Sequence, residues 1–254
     1  MTELESEAME DEFDVVAGWT EDAVRVLGPA HAVPAGCRGS GSRGALRWLA
    51  DALDVGEASR VLDSGAGMGG PAGWLHAERG PRPVCVEPMP AAAGASRRLF
   101  GLPSVVALSQ ALPLADRSFD VAWCLGVLCT TGDKAGALAE LRRVLVDGGR
   151  LGLLVFVAEG ALPGPLPDGN QFPSEAELLA LLSVSGFDVL DTASADLHDS
   201  PPEWDELADA VDAEVQRRHG DDPRWAQAQE QSGRMGRLIG GRHLRPWLVA
   251  AVAR

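Results

Sequence analysis

Two carboxylates frame a glycine-rich turn in this chain, in the arrangement that a nucleoside ligand needs. The run Val61-Leu62-Asp63-Ser64-Gly65-Ala66-Gly67-Met68-Gly69-Gly70 reads as a buried strand that breaks into a turn and opens a helix. Asp63 ends that strand, and Glu87 ends the next apolar stretch, Pro83-Val84-Cys85-Val86. Glycine lets the backbone turn tightly and approach a ligand closely. A carboxylate at the tip of the second strand can accept both hydroxyls of a ribose. Gly65, Gly67 and Gly70 fit G-x-G-x-x-G, which is a weak signal in a chain with 30 glycines. Asp63 and Glu87 sharpen it toward an adenosine-bearing ligand.

With Asp63 two residues before Gly65, the turn resembles motif I of the class I S-adenosylmethionine-dependent methyltransferases. Leu112-Pro113-Leu114-Ala115-Asp116-Arg117-Ser118-Phe119-Asp120 resembles that family's approach to its fourth strand. Leu141-Arg142-Arg143-Val144-Leu145-Val146-Asp147-Gly148-Gly149-Arg150 resembles its helix and turn before the fifth. The resemblance covers roughly residues 45–189 and is nearest the small-molecule enzymes of the tocopherol and sugar or indolocarbazole O-methyltransferase type. It implies S-adenosylmethionine as cofactor and S-adenosylhomocysteine as its product. Asp63, Ser64, Gly65, Ala66 and Gly67 would then meet the amino-acid part of the cofactor, and Glu87 the ribose. Pro88 and Met89 would pack on the adenine, Ala111 and Leu112 would cross its edge, and Cys124 and Leu125 would lie near the sulfonium.

The chain departs from the family in two places. Many relatives carry an acid just after the third strand to receive the adenine amino group. Here that position is Leu108, followed by Ser109 and Gln110, so Gln110 becomes the candidate for that hydrogen bond. Many relatives have a Glu- or His-rich phrase after the fourth strand. This chain has Cys124-Leu125-Gly126-Val127-Leu128-Cys129-Thr130-Thr131, so no catalytic His or Glu carries over.

Other candidates come from residue type and place. In Cys37-Arg38-Gly39-Ser40-Gly41-Ser42-Arg43, two arginines flank small residues just before the helix that feeds the glycine turn. Arg38 could grip the cofactor carboxylate as part of a clasp, or the segment could be a solvated loop. His31 and His198 are candidates for a general base toward an acidic hydroxyl. Cys129, Asn170, Phe172, Trp204 and Met235 are candidate acceptor-pocket residues. No histidine has a metal-ligand partner at useful spacing, so no metal is expected. The four cysteines, Cys37, Cys85, Cys124 and Cys129, lack C-x-x-C spacing and read as reduced thiols of a cytoplasmic protein.

Positioning these residues requires alternating strands and helices, which means a doubly wound, mostly parallel seven-stranded α/β sheet with right-handed crossovers. Strands are expected at 60–63, 83–86, 104–108, 119–124, 150–157 and 187–190, with a final antiparallel strand at 245–253. Helices are expected at 13–27, 45–53, 70–79, 91–100, 134–145 and 175–184, with Ser174 and Glu177 forming a capping box at the last. Residues 1–11 are expected to fray, and residues 30–42 to form a loop. Two more helices, to about His219 and about Leu238, read as a lid over the acceptor site. The units are residues 1–44 as N-terminal helix and clasp, 45–195 with 244–254 as the cofactor-binding core, and 196–243 as the lid.

The 254-residue length suits one such domain with a cap. No apolar run is long enough to span a membrane. A formal net charge of −15 repels phosphate backbones and anionic lipid, so neither nucleic acid nor membrane is an expected partner. A small-molecule substrate is expected, on a monomer or homodimer. The chain has one Lys, one Ile, one Asn and no Tyr, the usage of a GC-rich bacterial source. The leading reading is methyl transfer to a small metabolite, with O-methylation favoured. A nicotinamide-dependent oxidoreductase is the alternative, weakened by the lack of a Tyr-x-x-x-Lys pair. A catalytically idle S-adenosylmethionine-binding protein is the third.

Overall fold

The structure, a computed structural model, describes residues 3–254, with side chains from residue 12 onward. Residues 1 and 2, part of the stretch expected to fray, lie outside the described residues. The chain runs α1 (Glu3–Leu27), α2 (Ala32–Gly36), α3 (Arg43–Ala52), β1 (Val61–Ser64), α4 (Gly70–Arg79), β2 (Val84–Glu87), α5 (Pro90–Phe100) and β3 (Ser104–Val106). It continues β4 (Phe119–Leu125), α6 (Lys134–Val144), β5 (Leu145–Ala158), α7 (Glu175–Val184), β6 (Phe187–Ser194), α8 (Pro202–His219), α9 (Pro223–Gly240) and β7 (Leu244–Ala253).

The seven strands form one sheet in the order β3-β2-β1-β4-β5-β7-β6. Pairings from β3 to β5 are parallel, and β7 lies antiparallel between β5 and β6. The sheet is therefore mixed at one end, where the dinucleotide-binding order 3-2-1-4-5-6 has no inserted strand. The central strands are covered by helices on both faces, which is why β1, nearly all of β4 and residues 151–157 of β5 are buried. Leu46 and Leu49 of α3, Leu138 and Leu141 of α6, and Leu178 and Leu182 of α7 are fully buried in this core. Each such side chain contributes roughly 1.5–3 kcal/mol of burial free energy.

Local signals explain the element ends. Gly69, at φ 83°, enters α4 through a left-handed turn that disfavours other residues, and a proline follows in the helix's first turn. The Ser174–Glu177 capping box forms as expected. Arg143 explains why two motif phrases travel together. Its guanidinium donates to the Leu112 and Leu114 carbonyls and to Asp116 and Glu140, while Glu140 accepts from the Leu112 amide. The segment that approaches β4 is thus fastened to α6, and Asp116 and Glu140 hold Arg143 firmly protonated.

Four expectations change. The first helix starts at Glu3 rather than 13, so most of the stretch expected to fray is helical. Residues 30–42 are not wholly a loop: Pro29–His31 is a 3-10 turn and α2 follows it. β5 starts at Leu145 rather than 150, because Leu145 already pairs with Phe119 and a register shift absorbs the intervening turn. The apolar faces of α8 and α9 pack largely on α1 and α2. Val211, Val215 and Trp225 are buried with Ala23, Val24, Ala32 and Ala35, and the Trp19 ring stacks on His219 at 4.2 Å. The N-terminal segment and the supposed lid form a single helical layer, because each supplies the apolar face that the other lacks.

Candidate functional site

The glycine turn leaves β1 at the carboxyl edge of the sheet. Gly65 and Gly67 have φ of 75° and 53°, in the left-handed region. The amides of Gly65 and Ala66 donate to the Val86 carbonyl, which ties the turn to the end of β2. The Gly67 amide donates to Glu87 Oε2 at 2.8 Å, and the Met89 amide to Glu87 Oε1 at 3.1 Å. Glu87 is therefore a brace for the turn, a role that sequence reasoning missed. A carboxylate oxygen accepts more than one hydrogen bond, so the brace leaves the ribose role chemically open. A Cβ built on Gly67 meets nothing within 4 Å, so the turn opens there onto space rather than protein.

Asp63 is 2% exposed, and its Oδ2 has no hydrogen-bond partner. Burial first, and then the charge of Glu87, push its carboxyl from near 3.8 up to about 7. An orphaned buried acceptor is costly and is a request for a cation or donor. The ammonium of S-adenosylmethionine would supply one, so the residues present fit that cofactor. Ser64 of β1 donates to Ser109 Oγ at 2.9 Å. This joins the turn to the segment after β3, where Gln110 is half-buried, Ala111 exposed and Leu112 buried. Pro88 and Met89 are half-buried beside Glu87.

The close approach of α2 to the turn is set by glycines. A Cβ on Gly36 would sit 2.9 Å from the Gly70 Cα, so only glycine lets α2 lie on the start of α4. The clasp segment then crosses the end of β4: a Cβ on Gly126 would sit 2.6 Å from the Gly39 carbonyl oxygen. Arg38 is engaged within the protein. Its guanidinium pairs with Asp212 and Asp209 of α8, so the clasp is fastened to the helical layer.

The remaining cofactor and pocket candidates are spread over several elements. Cys124 and Leu125 are core residues of β4, at 0% and 3% exposed. Burial pushes the Cys124 thiol up, away from the thiolate form. Cys129 is 1% exposed; the Phe156 amide donates to its Sγ and its thiol faces the Phe156 carbonyl, so it is a structural bridge to β5. Burial pushes that thiol up to about 11. Trp204 lines a groove with Val33, Pro34, Trp74 and Ala77, on the α2–α4 side. Met235 and Phe172 pack partly buried against the main core. Asn170 donates to the Asp168 carbonyl within its own loop. The His31 ring is tied to the Gly28 carbonyl at the end of α1, and His198 is exposed after β6. Neither imidazole is hydrogen-bonded toward the glycine turn.

The structure supplies an acid that the sequence reading passed over. Glu12 of α1 is 3% exposed. Burial, and secondarily the charge of Asp168, push its carboxyl up to about 7. The available signal was its place at the head of the apolar face Val16, Trp19 and Ala23, at helical spacing. Among the described residues no cluster of three or more metal-ligating side chains occurs, and no helix is long and apolar enough to cross a membrane.

Comparison with known proteins agrees with this geometry. Residues 62–153 match the family described as "Methyltransferase domain". The chain is 35% identical over 121 residues to "Methyltransferase GfsG" of Streptomyces halstedii, a stretch covering 45% of this chain and 44% of that protein. The match thus spans less than half of that curated relative. Among solved structures, the [4+2]-cyclase SpnF superposes with a TM-score of 0.65 at 22% identity, covering 82% of this chain and 79% of that one. Geranyl diphosphate C-methyltransferase from Streptomyces coelicolor A3(2), solved with Mg2+, geranyl diphosphate and S-adenosyl-L-homocysteine, gives a TM-score of 0.56 at 16% identity. It covers 83% of this chain and 79% of that one. At such identities the structural likeness establishes the fold.

Proposed function

We propose that this chain, which carries a class I S-adenosylmethionine-dependent methyltransferase domain, transfers a methyl group to a hydroxyl of a small, uncharged or weakly acidic metabolite. The carrying observation is the orphaned Asp63 carboxyl beside a glycine turn that opens onto empty space at Gly67. S-adenosylmethionine, when bound, supplies an electrophilic methyl on a sulfonium, which departs by in-line displacement.

The chain's own residues then have distinct tasks. Asp63 neutralises the cofactor ammonium. Glu87 holds the turn through the Gly67 and Met89 amides and meets the ribose hydroxyls. The Ser64–Ser109 pair sets the segment that borders the adenine. The loop leaving β5 is drawn back to the sheet edge, because the Gln171 amide donates to the Cys129 carbonyl and the Ala158 amide to the Pro173 carbonyl. That loop and α1 enclose the space in which an acceptor must meet the methyl. Holding the two in line and close supplies much of the catalysis. The acids around this space (Glu12, Asp63, Glu87 and Asp168) disfavour an anionic acceptor.

The second reading is that the chain binds the cofactor without methyl transfer. Calorimetric titration with S-adenosylmethionine, S-adenosylhomocysteine and NAD separates methyltransferase from oxidoreductase. Binding of NAD alone would refute the proposal. Mass-spectrometric detection of methylated product across a panel of phenols, sugars and amines separates the enzyme from an idle binder. Methylation confined to amines would refute the O-methylation.

A further inference from the structure

The N-terminal half of α1 is fastened on two sides. Asp14 accepts from the Ala91 amide at 2.7 Å and the Ala92 amide at 3.3 Å, at the amino end of α5 just beyond Glu87. On the other side, Trp19 lies against Arg224 at the start of α9, with the guanidinium 5.4 Å from its ring centre. Seven residues back along α1 is Glu12, and seven forward along α9 is Gln231. At about 1.5 Å per residue, each lies about 10 Å from that contact along its own helix, and Gln231 reaches Asp168. Gln231 Nε2 donates to Asp168 Oδ2 at 2.6 Å, and Arg234 Nη1 to Oδ1 at 3.1 Å. The charge of Asp168 is felt at Glu12.

Asp168 belongs to the loop leaving β5. α1 therefore bridges from the end of β2 to the β5 loop, and in the sheet order only β1 and β4 lie between those two strands. Ala17 of α1 is buried in one cluster with Met68 of the glycine turn and with Ala92 and Ala95 of α5, and Glu12 lies five residues before it on the same helix. Among the described residues, no hydrogen-bond donor reaches its carboxyl, although it is 3% exposed. A carboxyl that is largely shielded from solvent and has no donor is placed to receive one from a bound molecule.

We infer that Glu12 is the proton-accepting carboxylate of the acceptor site. This rests on the methyltransferase reading. The acceptor oxygen forms its bond to the methyl carbon as the carbon–sulfur bond breaks, with that electron pair left on sulfur. The hydroxyl proton passes to Glu12 and leaves to solvent with the product. A carboxyl poised near neutrality is suited to that exchange. The charged groups facing it are Asp168 from the β5 loop, with Arg234 and Glu230 of α9 behind it. Asp14 of α1 and Glu87 of β2 lie on the cofactor side.

The test is carbon-13 NMR of the full chain with labelled glutamate carboxyls, titrated with S-adenosylhomocysteine or with S-adenosylmethionine bound. One glutamate should titrate near neutrality in the first complex and be missing in Glu12→Gln, with Glu12→Asp giving the same assignment if the glutamine variant does not fold. In the second complex its midpoint should fall by about one unit or more, because an opposite charge within ~4–6 Å lowers a carboxyl pKa by ~1–3. Equal midpoints overturn the inference. So does a tenfold loss of S-adenosylhomocysteine affinity in Glu12→Gln, which would put the residue on the cofactor; a change within threefold is expected. For any phenol turned over by the wild type, kcat of Glu12→Gln should drop at least ~100-fold, with the acid limb of the pH profile lost. An unchanged profile is a second refutation. Failure of the wild type to bind either ligand would instead sink the methyltransferase reading itself.

Discussion

Asp63 makes the cofactor site a proton-linked one. Its buried carboxyl is pushed from near 3.8 up to about 7, first by burial and then by Glu87. Between those values the folded chain keeps a proton that the unfolded chain has released. Stability from this group is therefore full below pH ~4 and is lost as pH rises toward ~7. A shift of about three units at 1.36 kcal/mol each costs about 4 kcal/mol above pH 7 in the free protein. An ammonium beside Asp63 restores the charged form, so cofactor binding below neutrality must expel the proton. At pH 6 a carboxyl titrating at about 7 is ~90% protonated, and binding should release about 0.9 proton. Calorimetry of S-adenosylmethionine in buffers of different ionisation enthalpy measures that number, and a Glu12→Gln background removes the part due to Glu12. Asp63→Asn should abolish the release and weaken binding. It should also stabilise the free protein at pH 8 by about 1–3 kcal/mol, the ~4 above less ~1–3 for a buried amide without full partners. Undiminished proton release in Asp63→Asn, or a less stable variant at pH 8, would refute this account.

Three further outcomes follow from the site. Glu87→Ala removes the ribose acceptor and strands the Gly67 and Met89 amides, so it should cost about 2–4 kcal/mol of stability as well as tenfold or more in cofactor affinity; urea unfolding and calorimetry report the two, and wild-type stability would show that the brace is immaterial. Gly67→Val adds bulk where only ligand space lies and forces a branched residue to φ 53°, so S-adenosylmethionine binding should vanish; wild-type affinity in the variant would make the turn purely structural. Arg143→Lys loses the fork that spans the Leu112 and Leu114 carbonyls, and should destabilise the chain by about 1–3 kcal/mol, read from the urea midpoint.

The core of the fold was legible in the chain itself because its signals are local. The apolar run of β1, the glycines at 65 and 67 and the Ser174–Glu177 capping box each act within a few residues, and Asp63 and Glu87 each end a strand that its own apolar run marks. The same residues pointed to an adenosine cofactor before any contact was known. Other features depended on distant partners and were settled only by tertiary structure. The pairing of Arg38 with Asp212, 174 positions away in the chain, was invisible to the local sequence. Cys129 looked like a pocket residue until β5 closed over it. Helices α8 and α9 carried apolar faces that could have covered the sheet, and it was the complementary faces of α1 and α2 that claimed much of them. Glu12 is the clearest case. Its chain neighbours give an acid near the head of a helix; its burial and its exposure to the charge of Asp168 exist only once α1 is packed on the glycine turn. Periodicity and turn chemistry are properties of short segments, whereas desolvation and charge pairing belong to whatever the fold brings near.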